Sequence, residues 1–104
     1  MEQLRNIRNI ETVDRRPCHL ILDTVFHALS DSTRRAILRD VTSGEKTVGE
    51  IAQPYRMSLA AVSKHLDVLE QADLIRRERR GNFRMVRLKP EKLRAAQEWL
   101  SYRP

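Results

Sequence analysis

Apolar residues recur every three or four positions through most of the chain from residue 20 onward, which is the spacing of helices that bury one face. The first such stretch predicts a helix over about 20–29. A second stretch follows Asp31, a good N-cap, and ends at Gly44. These two helices supply the candidate core residues Leu22, Val25, Phe26, Leu29, Ile37, Leu38 and Val41.

Two further helices are predicted as a closely connected pair. Thr47 and Glu50 form a capping box, in which each side chain accepts a hydrogen bond from the other residue's amide. The helix that begins there is short, because Pro54 follows within two turns. Ser58 can cap the next helix, so the pair predicts a helix-turn-helix. The apolar stripe of the second helix consists of Leu59, Val62, Leu66 and Leu69.

After Asp73 the pattern changes to the two-residue alternation of strands. The runs that read LIRRER and FRMVRL are strand-like, and Gly81 and Asn82 between them suit the two-residue turn of a β-hairpin. Pro90 then opens a last helix within its first turn, where a missing amide costs nothing. One face of that helix carries Leu93, Ala96 and Leu100, with Trp99 beside them. The predicted fold is mainly α with a small β-hairpin, in the order α-α-α-α-β-β-α.

The net charge of the chain is concentrated in that hairpin. The 104 residues carry a formal net charge of +6, and residues 74–89 alone hold seven basic side chains and one acidic one. A surface charged only for solubility would mix its signs. The excess indicates a polyanionic partner such as nucleic acid. The alternative is a solvated strand edge, and seven basic side chains against one acidic side chain argue against it.

Length and composition predict one domain with a modest core and a polar N-terminal extension. We assign residues 1–19 to the extension, as a DNA-contacting arm or a disordered segment, and residues 20–104 to the folded domain. A single cysteine, Cys18, excludes an internal disulfide and fits a reducing compartment. The sequence has neither an apolar run of membrane-spanning length nor a signal-peptide core, so we expect a cytoplasmic protein.

The fourth predicted helix leaves a face suited to a DNA major groove, because the N-terminal half of that face carries small, weakly polar side chains. Ala60 and Ala61 could meet thymine methyl groups, while Ser63 and Lys64 could reach base edges or phosphates. The first turns hold no asparagine or glutamine that could grip adenine, so we expect modest sequence specificity. The hairpin arginines would add affinity and register through phosphates.

The chain resembles the winged-helix repressors of the ArsR type over about residues 20–102. The resemblance rests on ALSDSTRRAIL, GEKTVGEIAQ, MSLAAVSKHLDVLEQADLIRRERRGNFRMVRL and AAQEWL. It implies a winged helix-turn-helix, a homodimer joined through the first and last helices, and a palindromic double-stranded DNA operator. The DNA contacts it implies are Ser58, Ala60, Ala61, Ser63, Lys64 and His65 on the recognition helix, and Arg79, Arg80 and Arg84 on the wing. The dimer interface it implies includes Leu22, Val25, Phe26, Leu93, Trp99 and Leu100.

Two departures from the ArsR pattern argue against metal sensing. Metal-sensing members carry a Cys-x-Cys pair where this chain has Thr47 and Gly49, neither of which binds a soft metal. The other metal site of the family includes a histidine ligand from the last helix, and residues 90–104 contain no histidine. We therefore expect no metal site and no cofactor.

Several side chains have two open interpretations. His65 either donates a hydrogen bond to DNA or is satisfied locally on the flank of its helix. Trp99 and Tyr102 either pack a dimer interface or line an effector pocket. Cys18, with His19, could sense a metal or a redox change, although a lone cysteine is more often structural.

The leading hypothesis is a homodimeric repressor that occupies its operator, with no effector identified. Two alternatives stay open: a derepressor of the same fold that responds to a ligand or to oxidation, and a winged-helix module that binds an acidic protein.

We expect no enzymatic activity. Ser63, His65 and Asp67 are the residue types of a catalytic triad, but residues two apart on a helix point about 200° away from one another and cannot form its hydrogen-bonded relay.

Overall fold

Five α-helices and three β-strands form the part of the chain that the computed structural model describes, residues 18–102, with side chains from residue 21. In chain order they are α1 Cys18–Leu29, α2 Ser32–Thr42, β1 Lys46–Thr47, α3 Val48–Ala52, a 3-10 turn Gln53–Tyr55, α4 Leu59–Gln71, β2 Ile75–Arg80, β3 Phe83–Leu88 and α5 Glu91–Leu100. The predicted order of helices and hairpin is confirmed, with one strand added. The predicted extension lies outside the described residues, except for Cys18 and His19, which begin α1.

Side-chain caps fix the starts of three helices where the sequence predicted them. Asp31 Oδ2 accepts a hydrogen bond from the amide of Arg34 at 2.9 Å and caps α2. In the Thr47 and Glu50 capping box the two reciprocal bonds measure 3.0 and 2.8 Å. Ser58 Oγ accepts from the amide of Ala61 at 3.1 Å and caps α4. These bonds satisfy amides that have no partner within their own helix.

The three strands form one antiparallel sheet in the order β1-β3-β2. Arg80 pairs with Phe83, so the hairpin has a two-residue turn, and Gly81 adopts a φ of +63°, which glycine tolerates without strain. The sequence did not predict β1, because two residues are too few to show an alternation. That strand pairs with the far edge of β3 through Thr47 opposite Met85.

The core lies between the helices and the root of the hairpin, and its largest fully buried side chains are Ile37, Ile51, Leu66, Leu69, Leu74, Ile75, Val25, Val62 and Val86. Leu59 was predicted as part of this core, and that prediction is wrong, because its side chain is 60% exposed. It is the first residue of α4 and projects into the groove between that helix and the hairpin. None of the described helices is long and apolar enough to cross a membrane.

A mainly apolar groove runs between α1 and α5, where the family resemblance implies a dimer interface. Leu22, Phe26, Trp99 and Leu100 line it, and the rings of Phe26 and Trp99 meet edge to face with centroids 6.2 Å apart. Val25, also assigned to that interface, is 1% exposed and belongs to the core of its own chain, so we correct that assignment. Leu93 is half-buried against the same core.

The placement of α4 predicts unequal effects of two leucine truncations. We expect Leu66→Ala to lower the free energy of unfolding by about 2–5 kcal/mol, because a cavity adds to the lost transfer free energy. Leu59→Ala removes the same atoms from an exposed site, so its effect should stay within about 0.5 kcal/mol. Urea unfolding, followed by circular dichroism at one fixed protein concentration, measures both. Equal losses would contradict this placement.

Candidate nucleic-acid interface

The outward face of α4 presents small and basic side chains near its N-terminus. Ala60 and Lys64 are exposed, one turn apart, and Ser58 is exposed at the cap. Ala61 and Ser63, the other small residues predicted to contact DNA, are half-buried on the two flanks. The structure thus brings the predicted recognition residues to one end of one helix, with Ala60 and Lys64 standing furthest out.

His65 lies on the flank of α4 that faces the start of α2. Its Nδ1 is 3.4 Å from Nη1 of Arg34 and 3.7 Å from Oδ2 of Asp31, and its side chain is 22% exposed. The same Arg34 donates to two carbonyls at the end of α1, those of Ala28 at 2.8 Å and His27 at 3.1 Å. One arginine therefore joins α1, α2 and α4.

Asp31 serves both as the cap of α2 and as the acidic neighbour of His65. The hydrogen bond from the Arg34 amide is the main reason why the pKa of this carboxyl lies below its ordinary value of 3.8, and the charges of His65 and Arg34 lower it further. The ionised carboxylate is thus favoured in the folded chain.

On its opposite flank, α4 is joined to the hairpin by Arg77. The Arg77 guanidinium donates to Oδ1 of Asp67 at 2.6 Å and to Oε1 of Glu70 at 2.7 and 2.9 Å, and its Nη1 lies 3.5 Å from Oγ of Ser63. The other oxygen of Glu70 accepts from the backbone amide of Arg77 at 3.2 Å. We call these four residues the Arg77 cluster. The Arg77 side chain is only 16% exposed, so this ion pair is partly shielded from water.

Sequence reasoning missed the Arg77 cluster and counted Arg77 among the hairpin cations. A signal was present, because the two-residue alternation places Arg77 on the same sheet face as the buried Ile75. On α4 the partners Ser63, Asp67 and Glu70 follow one another at helical spacing and so share a flank. An inward arginine opposite two carboxylates on one flank predicts an ion pair.

Two more hairpin cations are neutralised within the chain. Arg80 makes a two-pronged ion pair with Glu45, at 2.8 and 3.0 Å, and also contacts Glu78 at 2.8 Å. The Arg80 hydrogen bonds hold the pKa of Glu45 below its ordinary value. Lys89 pairs with Asp73 at 2.7 Å. Arg80, a predicted wing contact, is therefore already engaged by two carboxylates.

Four arginines of the hairpin have no acidic side chain within ion-pair distance among residues 21–102: Arg76, Arg79, Arg84 and Arg87. They stand opposite one another across the strands as two like-charged pairs, Arg79 with Arg84 and Arg76 with Arg87, an arrangement that destabilises a hairpin. The first pair shares the sheet face of Arg77 and so lies toward α4, while the second occupies the other face.

Between α4 and the hairpin tip lies an open groove of about 520 Å³. Leu59, Ala60 and Ser63 form its helical wall, and Asn82, Phe83 and Arg84 form the wall on the hairpin side. The start of α3 and Arg77 close its remaining sides. An exposed second helix of a helix-turn-helix, with a basic hairpin across a groove from it, defines the winged helix-turn-helix class.

Comparisons with known proteins agree with that class. A family model described as a helix-turn-helix domain matches residues 29–78. The transcriptional repressor SdpR of Bacillus subtilis (strain 168) is 37% identical over 79 residues, which cover 76% of this chain and 88% of SdpR. The crystal structure of an ArsR family transcriptional regulator, RHA00566, is 37% identical with a TM-score of 0.73, over 78% of this chain and 84% of that one.

A third match is the solution structure of the homodimeric winged helix-turn-helix DNA-binding domain of Mb0332 from Mycobacterium bovis, a possible ArsR-family regulator. It is 26% identical with a TM-score of 0.69, over 88% of this chain and 86% of that one. The chain belongs to the ArsR family of winged helix-turn-helix transcriptional regulators. The resemblance first drawn from its motifs is thereby confirmed.

Loss of the Arg77 side chain should destabilise the fold. We expect Arg77→Ala to lower the free energy of unfolding by about 1–3 kcal/mol, because it leaves Asp67 and Glu70 without their cation. Arg76→Ala is the matched control, since it removes an adjacent exposed arginine without an ion pair and should cost within about 0.5 kcal/mol. Urea unfolding compares them, and equal costs would mean that the cluster does not stabilise the chain.

The lowered pKa of Asp31 predicts an acid-dependent contribution to stability. Asp31→Asn keeps a capping oxygen but removes the charge. A depressed folded pKa stabilises the fold above the unfolded value of 3.8, and this contribution is lost as pH falls through the folded pKa. The wild-type chain should therefore exceed Asp31→Asn in stability above pH 3.8, and the difference should shrink as the pH is lowered below that value. Urea unfolding of both chains at several pH values on either side of 3.8 measures this difference in stability, and a difference that does not change with pH would contradict the prediction.

Proposed function

We propose that this protein is a homodimeric repressor that binds a specific double-stranded DNA operator through α4 and the hairpin. The observation that carries the proposal is the position of the Arg79 and Arg84 pair. The two arginines share the sheet face of Arg77, and Arg84 lines the groove opposite α4. Neither arginine has an acidic partner among the described side chains. Phosphate groups of DNA would relieve their repulsion. The relatedness to SdpR, named as a transcriptional repressor, supports repression.

In this proposal α4 enters the major groove with its N-terminus leading. Ala60 and Lys64 would meet base edges and phosphates, and the free amides at the start of α4 would attract a phosphate beside Ser58. Arg79 and Arg84 would follow the backbone or enter the adjacent minor groove. Repression then requires occupancy of the operator and no chemical step.

Two residues for which the family resemblance implies DNA contacts, His65 and Arg80, do not contact DNA in this proposal. We assign His65 to the joint between α2 and α4, because its Nδ1 already faces Asp31 and Arg34. Arg80 would act indirectly, since its ion pair with Glu45 holds the outer part of the hairpin against the segment before β1 and Glu78 of the same strand orients its guanidinium.

A second copy of the chain would cover the apolar groove between α1 and α5. Trp99 and Leu100 are exposed there, and large exposed apolar patches commonly mark interfaces. The homodimeric state of Mb0332 supports this arrangement. Two-fold symmetry would place the two recognition helices about 34 Å apart on one side of the DNA, so the operator would be an inverted repeat.

Fluorescence anisotropy across a salt series tests the proposal, with a duplex from the DNA upstream of the gene and a scrambled duplex of equal length. We expect at least about a hundredfold preference for the native duplex. If each chain neutralises about four phosphates, affinity should fall with salt at a log-log slope of about −7. Equal binding to both duplexes would contradict a specific operator at that position, and binding to neither would favour a protein partner.

The two arginine pairs provide a charge-matched control. Arg79→Gln with Arg84→Gln removes two proposed phosphate contacts from each chain, so the slope should become shallower by about 3–4. Arg76→Gln with Arg87→Gln removes the same charge from the opposite sheet face and should leave the slope nearly unchanged. Equal effects would indicate that the total charge of the chain, and not this face, binds DNA.

A further inference from the structure

Leu59 is a large apolar side chain at the leading end of the helix proposed to read DNA. It is the first residue of α4 and is 60% exposed, while the buried stripe of the helix begins only at Val62. Single exposed leucines are common on protein surfaces, so exposure alone carries no meaning. The position of Leu59 is informative, because the N-terminal residues of a recognition helix are those that reach base edges.

The two serine hydroxyls nearest Leu59 on α4 and its cap already make contacts within the chain. Ser58 Oγ accepts the hydrogen bond that caps α4, and Ser63 Oγ lies in the Arg77 cluster, 3.5 Å from Nη1. The next residue, Ala60, is exposed and apolar. The first turn of α4 therefore presents an apolar surface made of Leu59 and Ala60, with Lys64 one turn further on.

Among the base edges of a major groove, thymine presents a methyl group at C5, where cytosine carries only a hydrogen atom, and the main groups of the other edges are hydrogen-bond donors or acceptors. Building on the proposed function, we propose that Leu59 determines specificity by packing against a thymine methyl in each half-site, with Ala60 beside it. A polar base edge at that position would lose its water against leucine without gaining a hydrogen bond. The operator should therefore carry thymine at symmetry-related positions.

The helix holds Leu59 in a fixed position, which specificity requires. The Ser58 cap fixes the first turn, and the Arg77 cluster and the His65 contacts hold the two flanks of α4. Phe83 provides a useful contrast, because it lines the same groove and is 62% exposed but stands at the tip of the hairpin. In the proposed docking the hairpin follows the backbone or the minor groove, where no methyl group is presented.

The test compares thymine with deoxyuridine, which lacks only the methyl group. The probe is the duplex that the wild-type protein selects from a random-sequence pool, and each thymine is replaced by dU together with its symmetry mate. At one such position we expect affinity to fall about fourfold for each methyl removed, or about fifteenfold for both half-sites. Leu59→Ala should bind the dT and dU duplexes equally at that position.

Phe83→Ala is the matched control and should keep the full dT to dU ratio, whatever its overall affinity. Equal binding of the wild type to every dU duplex would overturn the proposal. An unchanged ratio in Leu59→Ala would overturn it too, including the case in which that variant binds more weakly to all duplexes, which would indicate a sugar or backbone contact. If no sequence is selected from the pool, the proposed function itself fails, and that outcome is seen before any dU duplex is made.

Discussion

The ion pairs of Arg77 with Asp67 and Glu70 are the interaction on which the geometry of the winged helix depends. The hairpin joins the core at its root, through Ile75 and Val86, and none of the side chains from 78 to 85 in its outer half is fully buried. Two pairs of like charges stand across its strands and favour their separation. Arg77 supplies the attraction that holds the hairpin beside α4, and Glu70 also satisfies an amide of the same strand. On the flank of α4, the width of the groove between helix and hairpin therefore depends on Arg77 and its two carboxylates, while the Arg80–Glu45 ion pair and β1 hold the hairpin from its other side.

The distribution of ion pairs is more informative about the binding face than the net charge of +6. Arg77, Arg80 and Lys89 are occupied by carboxylates of the chain itself. The four hairpin arginines without an ion pair lie on two faces of the sheet, because side chains alternate along a strand. Arg79 and Arg84 lie toward α4, and Arg76 and Arg87 lie away from it. Each face of the hairpin therefore offers a polyanion two arginines without an ion pair, and only the face of Arg79 and Arg84 adjoins the exposed end of a helix.

Local signals in the sequence were enough to predict most of the fold. The caps at Asp31, Thr47 and Ser58 depend on residues three positions apart, and the two-residue turn at Gly81 and Asn82 fixes the hairpin register. The errors concern relations between distant segments. The exposure of Leu59, the burial of Val25 and the strand at Lys46 each depend on which element packs alongside. The ion pair between Arg80 and Glu45 connects residues 35 positions apart in the sequence, and no local pattern predicts it.

The contacts of Arg34 bear on the spacing of the operator half-sites as well as on the packing of the helices. Its guanidinium donates to carbonyls in the last turn of α1 and also contacts His65 on α4. The proposed dimerisation helix α1 and the proposed recognition helix α4 are therefore connected directly through one side chain. In a dimer held through α1, the separation of the two reading helices would then be nearly constant. An operator whose half-sites are one base pair too far apart or too close would have to be accommodated by bending or twisting of the duplex. The stiffness of the DNA between the half-sites, which no side chain contacts, would thus contribute to the choice of operator.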